Sequence, residues 1–232
     1  MAGESKRFMD VGIMKPKWSI KIGDRSVLSM SIESLKFFRF PNEKIILILR
    51  SSQTRFLKES LQENEFNNVV IVYLDNKTAG QAETLLVGLK KIELDLNERL
   101  IVWCADAYIT PDALNLNLEN RNAIAVSKLP GKHWSFIKIK NDLVIKTAEK
   151  RRISALASVG LYEFDSVETF LKLKLIRQEN QTEIYIAPLY NQLIENQKIV
   201  KYFEISPQNY YSFGTPTELD QSANRLGKSV IL

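Results

Sequence analysis

One cysteine, Cys104, and one histidine, His133, are all that the 232 residues offer of the softer metal ligands. A lone cysteine makes no internal disulfide, and neither a zinc cluster nor a Cys/His-rich centre has the residues to be built from. Catalysis has to rest on carboxylates, lysines, arginines and backbone groups. No apolar run approaches the roughly 18 residues of a membrane span. The opening MAGESKRF has no apolar stretch behind its charges, unlike a secretory signal. A cytoplasmic protein with no membrane partner is expected. Internal repeats, low-complexity tracts and Pro/Gly-rich linkers are absent too. So are the GxxxxGKS/T spacing of a P-loop and the GxGxxG dinucleotide fingerprint. With no aromatic-basic RNA motif and no C₂H₂ spacing, nucleic acid is not an expected partner.

What remains is a globular composition, 45% hydrophobic and 25% charged, with a net charge of +5. It suits one domain over residues 1–232. The positive balance favours anionic partners. Lysine and arginine are spread along the chain, and KRR at 150–152 is their densest short cluster. That pattern suits a phosphate-binding cleft better than a long nucleic-acid track, although a solvated face is the commonest form of such a run.

The runs IILIL (45–49), VVIVYL (69–74) and LIVWCA (100–105) are short, β-branched and uninterrupted. Such runs read as central parallel strands covered on both faces. Helical patterns at 27–38, 56–63 and 81–92 alternate with them, which is the βαβ order of an open α/β sheet, whose ligands bind at the strands' carboxyl ends. Beyond residue 120 come closely spaced strands at 123–129, 134–139, 143–150 and 156–164, an antiparallel or mixed extension of that sheet. Helices near 167–176 and 189–196 and a strand at 199–205 follow. Thr215-Pro216-Thr217-Glu218 has capping-box spacing with proline at the first helical position.

Four local features carry chemistry. In AGESKRF (2–8), followed by KPKW (15–18), Ala2 and Gly3 let backbone N–H groups approach a phosphate, and Arg7, Lys15 and Lys17 add positive charge. An ordinary solvated basic loop has the same composition. In TAGQAET (78–84), Gly80 and Gln81 precede a helix and offer donors to a base edge, or simply form a helix start. Asp106 follows the apolar run LIVWCA, so its carboxylate emerges at a strand end, where it would hold magnesium or cap a turn. In TAEKRRIS (147–154), Glu149 would accept from an acceptor's hydroxyls and Lys150 neutralise its phosphate, unless both belong to an exposed, self-paired strand end.

Taken in order, AGESKRF…KPKW, TAGQAET, WCADAYI, TAEKRRISALASVGLYEF and YYSFGTPTEL resemble the sugar-nucleotidyltransferase family, the nucleoside diphosphate-sugar pyrophosphorylases. The chain looks most like its small members associated with capsular or surface polysaccharide synthesis. The resemblance covers nearly the whole sequence. It implies an α/β fold with an open, mixed and mainly parallel sheet flanked by helices, of the GT-A/Rossmann-like nucleotidyltransferase type. It implies a Mg²⁺-dependent enzyme joining an NTP to a phosphorylated small molecule, a sugar 1-phosphate by default, with release of pyrophosphate. In that frame Ala2, Gly3 and Arg7 would wrap the triphosphate and Lys17 would stabilise charge on the attacked phosphate. Gly80 and Gln81 would face the base, Asp106 would hold the metal, and Glu149, Lys150 and Gly160 would border the acceptor.

The sequence departs from that family in two places. It begins at Met1-Ala2-Gly3, already inside the glycine loop, so the first strand is expected to be truncated and the native frame to start upstream with an apolar β-rich segment. Where many relatives carry a metal-binding aspartate two residues before the final Gly-Thr, this chain has Ser212, and Ser212 or Glu204 would assist only through water. A degenerate nucleotide-binding regulator is therefore an alternative. A GT-A glycosyltransferase is another, opposed by Asp106-Ala107-Tyr108 in place of a paired-acid DxD motif. An assembly of identical chains is left open.

Overall fold

The computed structural model of the protein describes residues 2–3, 5–36, 44–61, 69–110, 122–177 and 182–232. Its packing divides into two compact units. The first comprises Met1–Lys77, Cys104–Asn115 and Gln208–Leu232, and the second Thr78–Trp103 and Leu116–Pro207.

In the first unit, strands Ile45–Arg50 and Val69–Leu74 pair parallel, Ile45 opposite Val69 and Arg50 opposite Leu74. Helix Val27–Lys36 precedes them and helix Thr54–Leu61 joins them. Sequence positions 37–38 and 62–63 of the expected helices lie outside the described residues. The apolar runs lead one to expect both strands to be covered on both faces. Leu47, Leu49, Val72 and Leu74 are buried, but Ile71 is exposed, so coverage is incomplete. The core gathers Phe8, Trp18, Ile20, Leu28 and Phe213 around these strands. Strands Ala107–Ile109 and Tyr210–Ser212, distant along the chain, pair antiparallel and set Ser212 opposite Ala107. Helix Pro216–Arg225 starts at Thr215, whose hydroxyl accepts from the Glu218 N–H with proline in the first turn, as the spacing predicts.

The second unit is built on six strands. Asn122–Lys128 lies between Val200–Glu204, parallel to it, and Leu156–Phe164, antiparallel to it. Ser135–Lys140 and Leu143–Glu149 extend the sheet. The apolar run of 123–126 is buried at every position, so this strand is covered on both faces, as is Leu156–Phe164. LIVW at Leu100–Trp103 pairs antiparallel with Leu156–Phe164; the sheet is mixed at that point, where the apolar run suggested parallel neighbours. An apolar run reports coverage and is silent on partner direction. Gly160, at φ 86°, sits where the register of Leu156–Phe164 against Asn122–Lys128 shifts, a bulge that needs the left-handed conformation.

Helix Val167–Leu171 stops short of the expected 176. After Leu171 the sequence alternates Lys172, Leu173, Lys174, Leu175, a period of two that cannot keep one helix face on a core. The extended segment is held instead by Gln192, whose side-chain amide accepts from Lys174 N–H at 2.9 Å and donates to Lys174 O at 2.8 Å. Phe164 stacks on Tyr190 at 4.8 Å and meets Phe170 edge-on at 5.3 Å. The buried Tyr190 hydroxyl donates to Glu163 O at 2.7 Å, with Ala123 O as a second acceptor at 3.1 Å. Among the described residues no helix is long and apolar enough to cross a membrane.

Candidate functional site

In the first unit the site residues converge on Asp106. It lies in the turn before strand Ala107–Ile109, and its backbone oxygen accepts from Phe213 N–H at 2.8 Å. Lys17 opens a short 3₁₀ turn fixed by the buried Trp18 and Ile20. Its ammonium donates to Asp106 Oδ2 at 2.5 Å, with the two side chains 26% and 27% exposed. Burial pushes the Asp106 carboxyl up, and the Lys17 charge and hydrogen bond more than reverse this, leaving it below the usual aspartate value.

The glycine loop reaches the same place. Ser5 Oγ accepts from the Lys17 backbone N–H at 3.0 Å, and Gln53 Nε2 donates to Gly3 O at 3.4 Å. Among the described residues nothing lies within 4 Å of the position a Cβ on Gly3 would take. Ala2 is half-buried, and Arg7 is exposed on the one-turn helix Lys6–Met9, which Phe8 anchors.

Around Gly214 three oxygens gather. A Cβ at that residue would lie 3.1 Å from Glu218 Oε2, 3.6 Å from Ser212 Oγ and 3.8 Å from Asp106 Oδ2. Ser212 Oγ donates to Glu218 Oε2 at 3.0 Å. Burial, then the charge of Asp106 and, after a lowering by its bond with Ser212, that of Glu218, hold the Tyr210 phenol well above its ordinary pKa. Glu218 is the residue that sequence reasoning missed here, because the capping-box spacing assigned its carboxylate to the helix start.

For a hard dication the donor set fits: Lys17 already stands in as a cation on Asp106, and a second carboxylate borders the same space. No group of three or more His, Cys, Asp or Glu gathers among the described residues. A hard dication needs only one or two protein carboxylates when phosphates and water complete its shell. Glu204 belongs to the second unit and pairs with Lys128 at 3.2 Å.

The second unit assembles Glu149, Lys150 and Tyr185. Glu149 is 7% exposed and accepts from Ser135 Oγ. Burial raises its pKa, against the lowering by Ser135 and Lys150, and Glu183 adds to the rise. Lys150 adopts φ 52° at the strand end and donates to Tyr185 OH at 2.6 Å, its ammonium 4.7 Å from the ring centre. Tyr185 carried no signal in the sequence. Gly80, at φ 130°, caps helix Gln81–Leu89, and a Cβ there would lie 2.7 Å from both Ile184 N and Ile184 O. Two backbone bonds, Ile184 N to Ala79 O at 2.6 Å and Ala82 N to Ile184 O at 3.1 Å, hold that approach. The glycine is thus required by packing. Gln81, at the first helical position, is exposed.

No protein-family model matches the chain, and no curated protein matches it by sequence. Solved structures do. The nucleoside-diphosphate-sugar pyrophosphorylase from Vibrio cholerae RC9 is similar at 28% identity and TM-score 0.85, over 97% of this chain and 98% of that one. The inositol-1-phosphate CTP transferase from T. maritima is similar in fold at 16% identity and TM-score 0.76, over 100% and 95%. The UTP-bound UGPase from Acinetobacter baumannii has TM-score 0.73 and 16% identity, over 97% and 90%. The structural neighbours of this chain are nucleoside-diphosphate-sugar pyrophosphorylases and related nucleotidyltransferases, and its mixed α/β fold is theirs.

Proposed function

We propose that this chain, whose structural neighbours transfer nucleotides, is itself a nucleotidyltransferase that joins an NTP to a phosphorylated small molecule, a sugar 1-phosphate, and releases pyrophosphate. The observation that carries the reading is the Lys17–Asp106 pair beside Gly214, with the glycine loop tied to Lys17. It supplies a cation for phosphate and a carboxylate for a metal in one place.

The acceptor's phosphate oxygen attacks the α-phosphorus in line. One P–O bond forms, the α–β bridging bond breaks, and pyrophosphate carries away the electron pair. An ionised phosphate needs no general base, so positioning and charge stabilisation supply the catalysis. Lys17 neutralises the α-phosphate, and Arg7 with the backbone of Ala2 and Gly3 holds the remaining phosphates. Asp106 would hold Mg²⁺, which when bound supplies charge neutralisation at the phosphate oxygens. In the second unit Gly80 and Gln81 serve the base. Glu149 accepts from acceptor hydroxyls, Lys150 binds the acceptor phosphate, and Gly160 borders it. Such an enzyme works in the cytoplasm, without nucleic acid or membrane, and makes a nucleotide sugar destined for capsular or surface polysaccharide.

One observation favours a second reading, a nucleotide-binding regulator without turnover: position 212 is a serine hydrogen-bonded to Glu218 rather than a free carboxylate. A panel of NTPs against phosphorylated acceptors, read by pyrophosphate release, separates the two. Release with one pairing supports the enzyme. Nucleotide binding without release across the panel overturns it.

A further inference from the structure

Asp106 Oδ2 is paired with the Lys17 ammonium at 2.5 Å. The same oxygen borders the space over Gly214, together with Glu218 Oε2. Gly214 is not among the glycines with positive φ, so its backbone does not demand a glycine. What the missing side chain does is keep that space clear beside two carboxylates. An ammonium and a dication on the same carboxylate oxygen repel each other strongly at such a distance, so the oxygen takes one or the other.

We propose that Lys17 is an internal counter-ion, which Asp106 exchanges for a divalent cation, and that the exchange frees the Lys17 ammonium for phosphate. The ion pair then does two things. It weakens binding of a free cation, because only the fraction of protein with Lys17 detached is competent. It couples metal to nucleotide, since phosphate gives the displaced ammonium a new partner and by linkage each ligand tightens the other. The inference rests on the proposed function for the phosphate that receives Lys17, but the exchange itself is tested without turnover.

The probe is Mn²⁺ alone, with free ion measured by electron paramagnetic resonance. Lys17→Met is expected to tighten Mn²⁺ binding at least about fivefold by removing the competitor. Lys15→Met removes the same charge from the same unit and is expected to stay within about twofold. Asp106→Asn should weaken binding at least about tenfold, and Lys17→Met added to it should bring no recovery. Should Lys17→Met not fold, Lys17→Gln, which keeps a donor for Asp106, carries the same expectation. Unchanged or weaker binding in the Lys17 variants overturns the exchange, as does equal tightening by Lys15→Met, which would be a general charge effect. So does tightening by Lys17→Met that persists in the Asp106→Asn background, because the cation would then sit elsewhere. Exchange without pyrophosphate release from any NTP would sink the enzyme reading and leave the exchange standing. Release together with wild-type Mn²⁺ affinity in Lys17→Met would do the reverse.

Discussion

Ser212 Oγ donates to Glu218 Oε2 at 3.0 Å, while the Glu218 N–H donates to Thr215 Oγ1 at 3.2 Å. The helix start uses the main chain of Glu218. Its carboxylate turns to the serine and to the space over Gly214 that Asp106 also borders. Position 212 lacks an acid, and an acid six residues later stands beside it.

On this geometry Glu218→Gln is expected to raise the Mg²⁺ concentration for half-maximal pyrophosphate release by about three- to tenfold, since a neutral amide offsets less of a cation's charge. Ser212→Ala should change it less than about twofold. Asp106→Asn is expected to reduce turnover at least about a hundredfold. Metal titrations at fixed NTP distinguish these cases. A Ser212→Ala effect exceeding that of Glu218→Gln would remove Glu218 from the site.

Lys17→Ala should lower turnover at least about tenfold, or roughly 1.4 kcal/mol of barrier. On the sequence alone its melting temperature is expected to stay nearly unchanged. The ion pair alters that expectation, because the variant leaves Asp106 without its cation. Asp106 has a depressed pKa in the folded state, so its pairing stabilises above the unfolded value and is lost as pH falls through the folded one. The melting-temperature gap between wild type and Lys17→Ala should therefore be open at neutral pH, narrow as pH falls toward the unfolded value of about 4, and close only below the lower folded value. A gap independent of pH would show that the pair contributes nothing to the fold.

Glu149 has the opposite sign. Its folded pKa is raised by burial, so the ionised form destabilises the fold above that value and the penalty disappears below the unfolded one. Glu149→Gln is expected to melt higher than wild type at pH 7 to 8 and to match it near pH 4. At the same time the acceptor KM should rise about tenfold, because the amide is a weaker acceptor for hydroxyls. Thermal melts over that pH range, with acceptor kinetics, test both halves. A variant less stable at neutral pH would mean that the bond from Ser135 outweighs the burial of charge.

Gly80→Ala puts a methyl group 2.7 Å from the Ile184 backbone at φ 130°, so a loss of about 2 to 4 kcal/mol is expected. Denaturant unfolding should show it, and lost turnover should track lost folded protein. Wild-type stability with a raised NTP KM would instead make Gly80 a nucleotide contact alone.

Much of the fold is legible in the sequence because its signals are local. Strands 135–140, 143–149 and 156–164 fall within a residue or two of their expected bounds, since β-branched runs between turn residues state both conformation and coverage. Thr215 and Pro216 mark a helix start in the sequence and form one in the structure. Gly3, Lys17 and Asp106 stand out by residue type, and the glycine loop, Lys17 and Asp106 do meet in the first unit. Other features depend on groups distant along the chain. Lys17 and Asp106 are 89 residues apart, and no spacing rule makes one the counter-ion of the other. Gly80 reads as a helix start or a base contact until Ile184 is seen lying against it. Tyr185 has no recognisable pattern until Lys150 reaches its hydroxyl. Strand Leu100–Trp103 cannot reveal its antiparallel partner, because an apolar run records burial and not direction. The sequence by itself determined local conformation and which residue types were available for chemistry, since backbone sterics and periodic burial act over a few residues. Only the tertiary structure decided which charges, hydroxyls and backbone groups share a position, because those energies depend on distance through space.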